Sequence, residues 1–121
     1  MSHLNVEIKA RCAHPDRARA VLQQLGAEFR GTDRQVDTYF RCGRGRLKLR
    51  QGDIENALIH YDRADQEGPK RARVSLHRLN PPTDTLRNAL AEALGVPVTV
   101  RKRREIYFLD NVKFHIDEVE G

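Results

Sequence analysis

Four stretches of this chain alternate along a period of two, and most of their polar positions carry charge. The first is Asn5-Val6-Glu7-Ile8-Lys9-Ala10-Arg11. In a β-strand successive side chains point to opposite faces. Val6, Ile8 and Ala10 therefore share one face, and Asn5, Glu7, Lys9 and Arg11 share the other. Arg46-Leu47-Lys48-Leu49-Arg50 repeats the pattern, with three cations on one face and two leucines behind them. On the stretch from Lys70 to Leu79, Arg71, Arg73 and His77 share a face. In the long segment from Val96 to Leu109, Lys102 and Arg104 lie on one face and Arg101 and Arg103 on the other. A chain patterned this way is restricted to a sheet with one strongly charged side.

The remaining punctuation completes the order. Pro15-Asp16 opens a helix, Ala18, Val21, Leu22 and Leu25 recur at helical spacing, and Gly26 closes it. The second half of residues 28–41 is rich in strand formers and reads as a strand. Gly43-Arg44-Gly45 is a turn, and Asn56 to Arg63 is a further strand. Asn80-Pro81-Pro82-Thr83-Asp84 starts a second helix, with Leu86, Ala89, Leu90, Ala93 and Leu94 on one stripe. Both helical stripes are expected to be core. Asp110-Asn111 is a two-residue hairpin signal before a last strand from Val112 to Val119. The order is β-α-β-β-β-β-α-β-β, and short turns between successive strands argue for an antiparallel sheet of the α+β class. With 121 residues the expectation is one domain over 1–121.

Charge narrows the partner. There are 22 Lys+Arg against 17 Asp+Glu, which suggests an anionic ligand. No apolar run approaches the ~20 residues needed to span a bilayer, and the N-terminus does not read as a signal peptide. A cytoplasmic protein with Cys12 and Cys42 as free thiols is expected. His3, His14, His60 and His77 have no ligand spacing, which argues against a histidine zinc site. Arg101-Lys102-Arg103-Arg104 is the strongest nucleic-acid signal. In a strand, however, its charges divide between two faces, and it lacks interleaved aromatics for base stacking.

Cations two residues apart on neighbouring strands repel one another unless they face open water or hold an anion. A polyphosphate meets that need through charge-assisted hydrogen bonds. A few carboxylates among the cations, Glu7 included, suit a divalent metal, because Mg²⁺ is held by one or two carboxylates plus substrate phosphates. For any single strand, a solvated polar face explains the pattern equally well.

With these residues in view, the chain resembles the CYTH superfamily, also called triphosphate tunnel metalloenzymes, and within it the class IV adenylate cyclase-like proteins. Asn5-Val6-Glu7-Ile8-Lys9 is similar to the family's Glu-x-Glu-x-Lys signature. Gln35-Val36-Asp37-Thr38-Tyr39-Phe40, Arg46-Leu47-Lys48-Leu49-Arg50, Lys102-Arg103-Arg104-Glu105 and His115-Ile116-Asp117-Glu118-Val119-Glu120-Gly121 follow in family order.

The resemblance implies an antiparallel barrel of about seven strands with two helices, enclosing a tunnel that binds a triphosphate with Mg²⁺ or Mn²⁺. It implies a class IV adenylate cyclase or a triphosphate hydrolase. By position, Glu7 and Lys9 would be catalytic. Glu7, Asn5 and Asp117 would face the metal. Arg46, Lys48, Arg50, Arg71, Arg73, Lys102 and Arg104 would grip phosphates. Two departures stand out. Asn5 replaces an acid, and the family's final Glu-x-Glu strand does not follow Gly121. An incomplete barrel is therefore expected, with open edges that pair two copies into a homodimer. A non-catalytic nucleotide- or polyphosphate-binding remnant and a nucleic-acid-binding domain are the alternatives.

Overall fold

In the computed structural model the alternating stretches form strands, and the structure describes residues 6–9, 14–63 and 72–120. The elements are β1 (Val6–Lys9), α1 (Pro15–Gln24), β2 (Glu28–Phe40), β3 (Arg46–Gly52), β4 (Asn56–Arg63), β5 (Ala72–Arg78), α2 (Asp84–Leu94), β6 (Val98–Leu109) and β7 (Val112–Val119). Among them no helix is long and apolar enough to cross a membrane. The class is α+β, as the turn spacing predicts.

The residues group into two compact units, one holding the chain up to Arg34 together with Lys102–Glu120, the other Gln35–Arg101. In the first unit the strand order is β1-β7-β6-β2. In the second it is β6-β2-β3-β4-β5, so β2 and β6 contribute to both. Among the described residues the strand order ends at β1 and β5.

Within the first unit, β6 and β7 form an antiparallel hairpin with Leu109 opposite Val112. Asp110 turns the chain at φ 55°, a left-handed conformation that Asp tolerates better than most residues. β1 runs parallel to β7, against the expected antiparallel pairing, with Glu7 beside Lys113 and Lys9 beside His115. Pro15 starts α1, and Asp16 in the first turn accepts a 2.7 Å bond from Arg19. Among the described residues of this unit, Leu22, Ile106 and Ile116 are buried apolar residues.

β2 begins at Glu28, well before the predicted half-strand. Contacts with β6 explain the extension. The Phe29 and Tyr107 rings lie 5.2 Å apart, and the Arg30 guanidinium lies 5.2 Å from the centre of Phe108. Neither contact can be read from a polar segment in isolation.

In the second unit, directly opposite residues share a face. The register Asp37↔Arg50↔Ala57 and Tyr39↔Lys48↔Ile59 builds one face, and Thr38↔Leu49↔Leu58 builds the other. α2 attaches at Gln51, whose Nε2 donates to Thr83 Oγ1 and Asp84 Oδ1. Phe40, Leu49, Ala57 and Ile59 are buried. The helical stripes are less buried than expected. α1 buries only Leu22, leaving Val21 and Leu25 exposed, and α2 buries no residue fully. A single short helix shields only the side it lays on its neighbours, so an apolar stripe wider than that side stays in solvent.

Candidate anion site

The charged face of the second unit centres on β3. Arg50 Nε donates to Asp37 Oδ1 and Nη2 to Asp37 Oδ2, both at 3.0 Å. Its third donor, Nη1, reaches Glu55 Oε2 at 3.3 Å. The Arg50 and Asp37 side chains are 6% and 1% exposed. Burial opposes the Arg50 charge, but Asp37 and Glu55 together outweigh it and raise the guanidinium above its ordinary range.

Lys48, also buried, is one alternation away. Its ammonium lies 3.8 Å from Asp37 Oδ2, 5.7 Å from the centre of the Tyr39 ring and 5.4 Å from that of Tyr61. Two aromatic faces thus flank one cation, an arrangement that stabilises positive charge away from water. Burial, and then the neighbouring Tyr61, push the Tyr39 phenol up to about 12. Arg46 continues the row at the exposed start of β3. The row runs from a solvent-facing arginine through a caged lysine to an arginine fixed by carboxylates. Rigid donors of this kind are suited to an oxyanion.

The first unit carries a comparable row. Arg104 donates through Nε and Nη2 to the two oxygens of Asp117 at 2.9 and 3.0 Å, with its own side chain 2% exposed. Burial acts to raise the Asp117 carboxyl, but Arg104, Lys102 and His115 together hold it below the ordinary 3.8. Lys102 and the buried His115 belong to the same side by register. The reverse side of this hairpin is tied to α1. Arg19 Nε grips Glu105 at 2.8 and 3.1 Å, and Tyr107 donates to Glu105 at 3.0 Å. Arg103 pairs with Glu118 at 2.9 Å. These contacts lock a helix onto strands.

Arg46, Lys48 and Arg50 thus share one face in the second unit, and Lys102, Arg104 and Asp117 share one in the first. Glu7 and Lys9 take backbone positions in β1 beside Lys113 and His115. Asn5 and Arg71 lie outside the described residues, as does Cys12. Arg73 occupies the register position opposite Asp62, which alternates with the positions facing the Lys48 row. Cys42 is an exposed free thiol.

Asp37, Tyr39 and Tyr61 are the members of the site that residue patterns alone did not single out. A signal was present. The β2–β3 pairing is symmetric about the bond between Gly43 and Arg44, the predicted turn, and that symmetry places Asp37 opposite Arg50.

Among the described residues no three Asp, Glu, His or Cys side chains come together as a metal site. Both Asp117 oxygens already accept from Arg104. The described side chains alone do not make a cation site, so any divalent ion must draw on other donors.

The CYTH domain matches residues 3–121 of the chain. Similar solved structures come from archaea. PH1012 protein of Pyrococcus horikoshii OT3 is 25% identical with a TM-score of 0.68, over 84% of this chain and 63% of that one. A conserved hypothetical protein of Pyrococcus furiosus is 20% identical with a TM-score of 0.67, over 85% and 64%. PH1819 protein of P. horikoshii OT3 is 19% identical with a TM-score of 0.63, over 88% and 67%. The chain therefore spans less than two thirds of the length of the first two. None of the curated proteins matches. The buried cationic rows and the α+β sheet agree with a family that binds triphosphate substrates and, in general, divalent metals. Since the match runs over almost the whole sequence, the chain belongs to the CYTH domain family.

Proposed function

We propose that this domain binds a triphosphate-bearing small molecule with Mg²⁺ or Mn²⁺ and transforms it as a class IV adenylate cyclase-like enzyme or a triphosphate hydrolase. The observation that carries this reading is the buried Lys48 beside Arg50 on one row of β3. Buried cations fixed by carboxylates and aromatic rings need no reorganisation to stabilise charge on a phosphoryl group. Arg46, Lys48, Arg50, Lys102 and Arg104 are the proposed phosphate ligands. Asp37 and Asp117 position the two arginines they grip.

Lys9 and Glu7 are the proposed catalytic pair at the reacting phosphoryl group. Glu7, Asn5 and Asp117 supply oxygen donors for a divalent cation that arrives with the phosphates. Attack by a ribose 3′-hydroxyl gives cyclisation, and attack by water gives hydrolysis. The reading includes a cytoplasmic location, where triphosphates and free thiols such as Cys42 both occur.

A homodimer is part of the same proposal. β5 ends the strand order, and its Val74 and Leu76 are exposed on the side that Tyr61 and Ile59 occupy on β4. An exposed apolar edge strand favours pairing with a second copy. Sedimentation showing only monomer at micromolar concentration would remove this element.

Calorimetry with tripolyphosphate, ATP and thiamine triphosphate, each with Mg²⁺ or Mn²⁺, tests the whole reading when combined with a product assay. Binding with turnover is the expected result. Lys48→Ala should weaken every triphosphate by about tenfold or more, with or without metal. Tight binding without turnover would reduce the domain to a binding module. Salt-sensitive binding of RNA or DNA with no affinity for free triphosphate would overturn it.

A further inference from the structure

The reverse of the sheet in the second unit carries a cavity of about 290 Å³, at the lower limit for small-molecule pockets. β2, the start of β6 and α2 wall it. Its polar lining is Thr38 on β2, Thr99 and Arg101 on β6, and Arg87 and Asn88 on α2. Thr38 shares its face with Leu49 and Leu58, whereas Asp37, Tyr39, Lys48 and Arg50 lie on the other face. The cavity is therefore separated from the β3 cations by the thickness of the sheet.

Its polar groups are not satisfied from within. Thr38 is 3% exposed, yet its hydroxyl has no hydrogen-bond partner among the described residues. Buried polar groups are normally paired, so a free hydroxyl lining a cavity calls for a partner inside it. Among the described residues Arg101 pairs with no carboxylate, and Arg87 Nη2 donates to the neighbouring Asn88 Oδ1 at 3.3 Å. No described Asp or Glu lines the cavity. Arg50, Arg103 and Arg104, by contrast, each grip a carboxylate. Two guanidiniums thus border one recess without a counter-charge.

The lining selects the occupant. A cation is repelled by both arginines at short range. A nucleic-acid backbone needs a line of cations, and two in a recess do not supply one. A carboxylate has one charge and two coplanar oxygens, too few for donors that come from three separate elements. A phosphate carries close to two charges near neutral pH and directs its oxygens tetrahedrally. It can take charge-assisted hydrogen bonds from both guanidiniums and still accept from a hydroxyl.

The geometry points to an anion site on the reverse of the sheet, in which Arg87, Arg101 and Thr38 bind inorganic phosphate. The two guanidiniums balance its charge, and the Thr38 hydroxyl donates to one of its oxygens. Thr99 and the Asn88 amide nitrogen supply further donors, while Asn88 Oδ1 keeps its bond from Arg87. This site is distinct from the Lys48 row and does not depend on the triphosphate reading of that row.

The test titrates inorganic phosphate into the full chain at constant ionic strength, by calorimetry and by backbone amide NMR. Two charge-assisted contacts give an expected dissociation constant of about 1 mM or tighter. Phosphate should shift the amides of Thr38, Asn88 and Thr99 in the unmodified protein, a readout that needs no variant to fold. Arg87→Gln and Arg101→Gln should each weaken binding roughly tenfold, and Thr38→Val roughly threefold. Lys48→Met, which disables the row on the other face, should leave this site within about twofold. Three results would overturn the inference. One is no binding well above the expected dissociation constant. Another is binding that is lost in Lys48→Met and kept in Arg101→Gln, which puts the anion on the β3 row. The last is acetate binding as tightly as phosphate, which removes the tetrahedral anion as the ligand.

Discussion

Arg50 and Asp37 face each other across the β2–β3 ladder and share two parallel hydrogen bonds of 3.0 Å, sealed from solvent. Fork-to-carboxylate geometry holds the guanidinium in one plane. It also makes each partner depend on the other, because neither charge has water to fall back on.

Removing Asp37 should therefore be costly. Asp37→Ala leaves the Arg50 charge buried with its main partner gone, and a loss of about 3 kcal/mol or more is expected. The joint Asp37→Leu, Arg50→Met variant should be much closer to the unmodified protein, since it removes both charges together. Urea unfolding of the three variants measures this. Equal stability for the single and double variants would contradict the burial argument.

Asp117 makes an acid-dependent contribution. Arg104 and its neighbours hold its carboxyl below 3.8, so the folded state binds this proton less readily than the unfolded state. The stabilisation is complete above the ordinary carboxylate range and is lost as pH falls through the depressed value. Unfolding free energies of Asp117→Asn and the unmodified protein should differ at pH 6, and the difference should shrink as the pH falls below the ordinary 3.8 and through the depressed value. A constant difference across that range would refute the assignment.

Tyr39 gives the opposite sign at high pH. Its phenol is pushed up to about 12 by burial and then by Tyr61, against an ordinary 10.0. Folding therefore favours the protonated phenol, and the associated stability is present below pH 10 and lost as pH climbs toward 12. Ultraviolet titration of the phenolate band should show a late-ionising component that Tyr39→Phe removes.

Gly45 is required by geometry. It sits at φ 69°, and a Cβ added there would lie 2.5 Å from the Tyr61 carbonyl oxygen. Backbone cannot swing aside as a side-chain tip can, so Gly45→Ala should cost about 1–3 kcal/mol. Gly43, whose added Cβ would meet nothing within 4 Å, is the control. Comparable melting temperatures for Gly43→Ala and Gly45→Ala would show that the turn relaxes freely.

Much of the fold was legible in advance. β4 spans Asn56–Arg63 as its composition predicts, and the Asp110-Asn111 turn joins β6 to β7. The parity of Arg46, Lys48 and Arg50, and that of Lys102 and Arg104, was also readable. The partners of those cations were harder to see. Asp37 is 13 residues from Arg50, and Asp117 is 13 from Arg104, so each pair exists only once a hairpin register is set.

Alternation is a property of covalent geometry at neighbouring residues, so the sequence by itself determined which side chains travel together on each strand. It also determined where the chain turns, through Gly43-Arg44-Gly45 and Asp110-Asn111. Only the tertiary structure decided that β1 lies parallel to β7, that β2 reaches back to Glu28, and that Arg73 is opposite Asp62. It alone enclosed Lys48 between two tyrosines and paired two buried arginines with carboxylates. The physical reason is that pairing partners and register come from contacts between distant segments, whose free energy no local pattern contains.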